Sequence, residues 1–336
     1  GNTGSQAYAV TIAPGNILTV GPASLPDPTA GTPYAQTVSV SGGTGPYTFA
    51  VTTGALPSGL TLNPATGEIT GTPTAPGNHA FTITATDSLG NTGWQAYAMM
   101  TTRPDPSLDP EVGGLIDAAF DAAGRFAEGQ ITNVARHLES LDFEDCGEAG
   151  SDADAGEERA ACDRSVRGWI SGTFDLDRDG GSQFAGGSAT GGVDLWIADD
   201  LIIGAAIGFG VSEDDVGANG TDVDVKAASA TGYMRWRPFE GFYVDGIAGF
   251  GTLDLDTDRY ITADGGLASG NREGDVAYAA LGVSYNAKFG ALSLTPYTRI
   301  EVIDINLDAS SETGSPVYGL TFAGADQQIV STLMGL

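Results

Sequence analysis

Leu201-Ile-Ile-Gly-Ala-Ala-Ile-Gly-Phe-Gly-Val211 decides the fold. Leu201, Ile203, Ala205, Ile207, Phe209 and Val211 take every second position, and the residues between them are mostly Gly and Ala. A period of two is a strand with one apolar face, and small residues on the other face leave room inside a barrel. Upstream, Val166, Gly168, Ile170, Gly172, Phe174 and Leu176 alternate with Arg167, Trp169, Ser171, Thr173, Asp175 and Asp177. Downstream, Leu292, Leu294, Pro296, Thr298, Ile300 and Val302 alternate with Ser293, Thr295, Tyr297, Arg299 and Glu301. A charged side chain facing lipid at the midplane costs up to about 2–4 kcal/mol, so Arg299 and Glu301 are expected to face the lumen. Eight such segments run near 166–177, 187–198, 200–212, 222–237, 241–256, 273–288, 291–307 and 325–336. Short links such as Ala198-Asp199-Asp200 alternate with long acidic ones such as Asp256 to Asp275, the turn asymmetry of an antiparallel outer-membrane barrel.

Composition agrees with an exported β-rich chain. Fourteen Lys and Arg face forty-three Asp and Glu, and the net charge of −29 repels nucleic acid and anionic surfaces alike. Fifty glycines follow no collagen period, and Lys226 and Lys288 are the only lysines. No apolar run is long enough for a transmembrane helix, which leaves a transmembrane barrel open. At 336 residues, two or more domains are expected.

Ahead of the strands, Arg103-Pro-Asp-Pro-Ser-Leu-Asp-Pro110 is a stiff linker, because its prolines forbid helix. From Glu111 to Leu141, Val112, Leu115, Ile116, Ala119, Phe120, Ala123, Phe126, Ile131, Val134, Leu138 and Leu141 recur with helical period. Gly113, Gly114, Gly124 and Gly129 would weaken this helix in isolation, so something must surround it. The following acidic segment, 142–165, holds Cys146 and Cys162. An even pair sixteen apart, without a His or second Cys pair, is expected to be a disulfide rather than a metal site.

The first hundred residues form a second pattern. Gly1-Asn-Thr-Gly-Ser-Gln-Ala-Tyr-Ala9 returns as Gly90-Asn-Thr-Gly-Trp-Gln-Ala-Tyr-Ala98, so the chain is expected to begin inside a repeat, with 1–20 the end of an upstream copy and 21–102 a full one. Short alternating segments such as Tyr34–Val40 and Ala80–Thr86, divided by Gly, Pro and Asn, specify a small antiparallel sandwich. Its acids are Asp27, Glu68 and Asp87. They are too few for calcium's six to eight oxygens, and Asp87 is expected to cap a turn.

Two resemblances follow from these residues. Gly45-Pro-Tyr47, Leu56-Pro-Ser-Gly-Leu-Thr-Leu62, Thr66-Gly-Glu-Ile-Thr-Gly-Thr-Pro73 and Ala85-Thr-Asp-Ser-Leu-Gly90 resemble the immunoglobulin-like repeat of bacterial surface proteins. Gly191-Gly-Val-Asp-Leu195, Gly232-Tyr233, Tyr243-Val-Asp-Gly246 and Leu294-Thr-Pro-Tyr297, preceded by the helix, resemble the translocator β-domain of autotransporters. The second resemblance implies a mainly β fold: an Ig-like sandwich, then a pore helix (111–141) threading an outer-membrane β-barrel (166–336). That family closes with twelve strands, so about four are expected to be missing after Leu336. Asn133 and Arg136, in the stretch closest to the family pattern, are expected to anchor the helix to lumen carboxylates at Asp175, Asp194, Asp245 and Glu301.

The implied function is surface display of an Ig-like stalk or adhesin. The implied partners are outer-membrane lipid, the barrel-assembly machinery and a host or neighbouring-cell ligand. A disulfide in 142–165 would sit at the periplasmic mouth. The alternative is a soluble or filament-forming surface protein whose C-terminal strands make a sandwich. Asp175-Leu-Asp-Arg-Asp-Gly180 opens like a calcium loop but has Gly186 where a bidentate Glu belongs, and reads as an acidic loop tip, as do Asp254, Asp256 and Asp258. His79 and His137 lie in different modules and no nucleophile–base set is present, so neither enzyme activity nor a cofactor is expected.

Overall fold

A computed structural model describes residues 17–141, 166–179, 182–290, 292–315 and 317–336. Two compact units emerge: the described residues up to Asp105, and Pro106–Ile261 with Gly265–Leu336. The two cysteines fall outside the described residues.

The first unit is a sandwich of short strands: β1 (Thr19–Gly21), β2 (Tyr34–Thr37), β3 (Ser39–Ser41), β4 (Thr48–Gly54), β5 (Leu60–Leu62), β6 (Glu68–Gly71), β7 (Gly77–Thr86) and β8 (Thr92–Thr101). They pair as β1-β3, β2-β6-β5 and β4-β7-β8. β1 pairs with β3, which joins Thr19–Gly21 to the sandwich. Inward Val38, Phe49, Ile69, Phe81, Ile83 and Tyr97 form its core. Asp87 does cap a turn: Oδ1 accepts from the backbone of Leu89 (3.0 Å) and Asn91 (2.8 Å). Its Oδ2 accepts from Thr44 N (3.1 Å) and Asn91 Nδ2 (3.0 Å), tying two turns together.

The second unit opens with α1 (Pro110–Ser140). Asp109 caps it, accepting from Glu111 N at 3.1 Å, and Pro110 stands where a missing N–H costs nothing. The strands that follow are β9 (Arg167–Asp179), β10 (Ser182–Ala198), β11 (Leu201–Val216), β12 (Thr221–Phe239), β13 (Phe242–Tyr260) and β14 (Leu267–Tyr285). A short ribbon, β15 (Ala287–Phe289) and β16 (Leu292–Leu294), leads to β17 (Tyr297–Leu307). A small hairpin, β18 (Ser310–Ser311) and β19 (Thr321–Phe322), precedes β20 (Ala325–Gly335).

Eight of these make one antiparallel sheet in the order β20-β17-β14-β13-β12-β11-β10-β9. The sheet curls around α1, and one core joins Leu115, Ala123, Phe126, Ile131 and Val134 of the helix to Val225, Leu253, Leu255, Val276 and Ile305 of the strands. A single curled sheet replaces the sandwich of the alternative reading. β9 and β20 do not pair with each other, so the barrel is open. A closed eight-stranded barrel is filled by its own side chains, and a helix in that space holds the edges apart.

Alternation holds along the strands. Ile170, Phe174, Ile207, Phe209 and Ile300 point outward and are exposed, while Thr190, Asp194, Tyr233 and Glu301 point inward and are buried. Two expectations are corrected. The stretch Asp256 to Asp275 is not a long loop, because β13 and β14 continue in register to Tyr260↔Leu267 and leave only a tight turn. Nor do Asp175–Asp179 and Asp254–Asp258 tip loops; both lie within strands. Alternation supports a strand whatever the polarity of its faces, and at Asp254 and Asp256 the outward face is acidic instead of apolar.

Candidate functional site

Along the helix–wall contact, buried polar groups gather and several glycines make room for the side chains opposite them. Four levels of it can be followed from the helix start to its end.

At the first level Glu111, buried, accepts from Asn219 Nδ2 at 2.7 Å and from Thr221 Oγ1. Both partners sit at the β11–β12 turn, so the helix begins at the end of the barrel carrying the 217–220 turn. One helical turn further on, Gly114 lies against Val216, where an added Cβ would come within 2.4 Å of Cγ1.

At the second level Arg125 Nη2 meets Asp214 Oδ1 at 2.5 Å, and its guanidinium lies 3.9 Å from the Phe184 ring centre. Phe126 fits over Gly210, where a Cβ would be 2.4 Å from the ring. The third level is a cluster of neutral polar side chains. Thr190 Oγ1 donates to Gln130 Oε1 at 2.7 Å, and Asn133 Nδ2 donates to Thr190 Oγ1 at 3.0 Å and Ser188 Oγ at 3.2 Å. Gln130 and Asn133 are fully buried, and Gly208 makes the space, since a Cβ there would overlap Gln130 Oε1. Gly129 in turn lets Ser188 approach the helix. The inward Gly and Ala of β11 are therefore sockets for helix side chains.

At the fourth level His137 Nε2 lies 2.9 and 3.0 Å from the two oxygens of Asp194, which is 1 % exposed. The imidazole stacks on Trp169 with ring centres 4.1 Å apart. Tyr233 donates to Asp194 Oδ1 at 2.6 Å and accepts from Trp169 Nε1 at 2.6 Å. Gly204 leaves room for the Tyr233 ring. Three strands thus converge on one helix residue, and beyond it Leu141 packs on Trp196 and Ile202 beside the short 199–200 turn.

Of the expected anchors, Asn133 is in the contact and Arg136 is not. Arg136 is exposed, and no ion pair joins it to the described residues. It shares a polar stripe with Asp117, Asp121, Glu128 and Glu139, all exposed, on the side of α1 that the strands leave uncovered. Each residue advances the bearing by about 100°, so His137 and not Arg136 faces the wall carboxylate. Arg299 and Glu301 do face inward, but they pair with each other (Nε–Oε1 2.6 Å), and Ser331 Oγ donates to Glu301 Oε2 at 3.2 Å. Arg299 borders a cavity of about 650 Å³ beside the last helical turn, together with Glu139, Arg235, Tyr243 and Asp245. Asp175 was expected in the lumen lining, but its side chain lies outside the described set. The His137–Asp194–Tyr233–Trp169 cluster is the part that sequence reasoning missed. Inward parity marked Asp194 and Trp169, but nothing in the helix marked His137 as their partner.

Residues 165–336 match the autotransporter β-domain family, more than half of the chain. The chain belongs to the autotransporter β-domain family. Membership implies an outer-membrane location and a β-domain that is not an enzyme. Residues 16–102 match the He_PIG family of Ig domains. No curated protein matches the sequence. Among solved structures, the translocator domain of the autotransporter NalP from Neisseria meningitidis is similar at 19% identity and a TM-score of 0.42. The similarity covers 50% of this chain and 57% of that one. In this autotransporter domain, then, the helix-facing glycines and the four polar levels are the lining of a helix-filled lumen.

Proposed function

We propose that this autotransporter β-domain carries the Ig-like region to the cell surface and holds it there through α1, so that the Ig-like part serves as a stalk or adhesin. The observation that carries this reading is the buried polar ladder from Glu111 to His137, which ties one continuous helix to the wall of the sheet on the route from the Ig-like repeat. A helix merely packed on a soluble sheet needs an apolar face. This one adds to its apolar face the buried Glu111, Gln130 and Asn133, set against inward polar groups, while the outer face of the strands around Gln130 and Asn133 is apolar.

Export places the Ig-like residues outside and the helix end, with 142–165, at the periplasmic mouth, where Cys146 and Cys162 would form a disulfide. Insertion would require the barrel-assembly machinery, and a ligand on a host or neighbouring cell would meet the Ig-like faces. The test is fractionation of the full-length protein with protease applied to intact cells. The reading expects extraction by detergent but not by carbonate, and loss of the Ig-like part to external protease. Carbonate extraction, or an Ig-like part protected until the cells are opened, overturns it.

A further inference from the structure

We propose that residues 308–315 and 317–324, in the link from β17 to β20, form a latched lid over the lumen mouth at the start of α1. Arg259 on β13 and Arg272 on β14 point inward in the same rows as Leu253, Leu255 and Val276, and are 2 % and 7 % exposed. A chain with fourteen cations has placed two of them in an apolar-lined mouth, where a guanidinium needs partners. The link supplies nearly all of them. Arg259 Nε and Nη2 donate to Glu312 Oε1 and Oε2 at 2.8 and 2.7 Å, and Nη2 also donates to Tyr318 O at 3.1 Å. Arg272 Nε donates to Asp308 O at 2.6 Å, and its Nη2 donates to Ala323 O at 2.9 Å.

Glu312 is itself oriented by Leu320 N, which donates to Oε2 at 2.8 Å. Ser269 and Thr313 exchange backbone bonds at 3.0 and 2.7 Å, and Phe322 packs on the core shared with α1. The link is thus folded onto the inward face of the sheet, held at its two ends by Arg272 and in its middle by Arg259.

Such a latch has two states. With the link down, both guanidinia are satisfied by it; with the link up, water enters the mouth and solvates them. The second state is therefore reachable without stranding a buried charge, which a fixed wall built on apolar packing would not allow. The geometry makes the lid a closure additional to the helix, and its release gives ions and small solutes access to the lumen beside α1.

The inference rests on the membrane reading of this domain, and the experiment separates the two. The full-length protein is reconstituted in planar bilayers, with heat-modifiable mobility as the check of insertion. Arg259→Gln and Glu312→Gln should raise the open-channel fraction several-fold and expose the bond after Tyr318 to chymotrypsin. The exchange Arg259→Glu with Glu312→Arg should bring both back toward the parent. Ser269→Cys with Thr313→Cys, oxidised, should hold conductance at or below the parent level, with reductant restoring it while leaving the parent unchanged. Inserted Glu312→Gln protein with parental conductance overturns the lid. If that variant fails to insert, the cysteine pair decides: equal conductance oxidised and reduced, at a level above background, overturns it. Failure of the parent itself to insert would sink the membrane reading instead.

Discussion

Below a ring through Val211, Lys226, Asp254 and Glu273 the outer face of the sheet is apolar; above it the outer face is acidic. In the lower belt Ile203, Ile207, Phe209, Phe250 and Ile300 are exposed, and Asp194, Tyr233, Arg235 and Glu301 are buried. In the upper collar Glu213, Asp215, Asp224, Asp254, Asp256 and Glu273 point out, while Val223, Val225 and Leu255 are buried in the core shared with α1. The pairing is continuous across the ring, so the change is in the medium outside and not in the backbone. Lipid surrounds the belt and water the collar. From Leu201 to Val211 the belt is about 33 Å along the strand, close to about 25 Å along the normal at a tilt of about 40°. The helix is held by polar contacts on both sides of the ring, through Glu111 and Arg125 in the collar and through Gln130, Asn133 and His137 in the belt.

The comparison can be broken most directly beside the ring itself. Phe126→Ala empties the socket over Gly210 and should cost about 3–5 kcal/mol, read as a lower temperature for loss of the heat-modifiable form. Next comes a charge scan across the ring. Ile207→Arg, outward in the belt, should cost about 2–4 kcal/mol, whereas Asp215→Arg, outward in the collar, should stay within about 0.5 kcal/mol. Equal costs at the two sites would remove the distinction between lipid and water outside.

Within the belt, Asp194→Ala removes the carboxylate that meets His137, while the Tyr233 hydroxyl keeps Val193 O at 3.1 Å, and should cost about 1–3 kcal/mol. Arg136→Glu, one residue away on the uncovered stripe, should change stability in the same assay by no more than about 1 kcal/mol. The reverse order of these two would restore Arg136 as the anchor.

The smallest effect belongs to the Ig-like unit, which has neither band and serves as a reference. Hydrogen bonds from the Asn91 side chain, then from the backbone of Thr44, Asn91 and Leu89, hold the Asp87 carboxyl below its usual value. A group lowered on folding stabilises above its unfolded pKa, and that contribution is lost as pH falls through the folded one. The calorimetric transition of this unit should therefore soften on acidification, and Asp87→Asn should flatten that dependence without altering the belt and collar.

Much of this was legible in the sequence, for reasons that differ between elements. Alternation at Leu201–Val211 needs only the two-residue repeat of a strand, so the outward residues, the strand count and the inward placement of Arg299 and Glu301 follow without knowing any partner. The 3.6-residue period marked α1, and its glycines signalled an enclosing wall, which Gly129 meets as Ser188. The acidic upper strands were read as loops because a strand whose solvent face is charged resembles a polar link.

What only the tertiary structure decided are the pairs that join distant residues: His137 with Asp194, Arg259 with Glu312, Gln130 with the space over Gly208. Each depends on the rotation of the helix within the sheet and on the register of the strands. Local periodicity assigns a face to a residue, but which side chain stands opposite it is set by the packing of the whole curl.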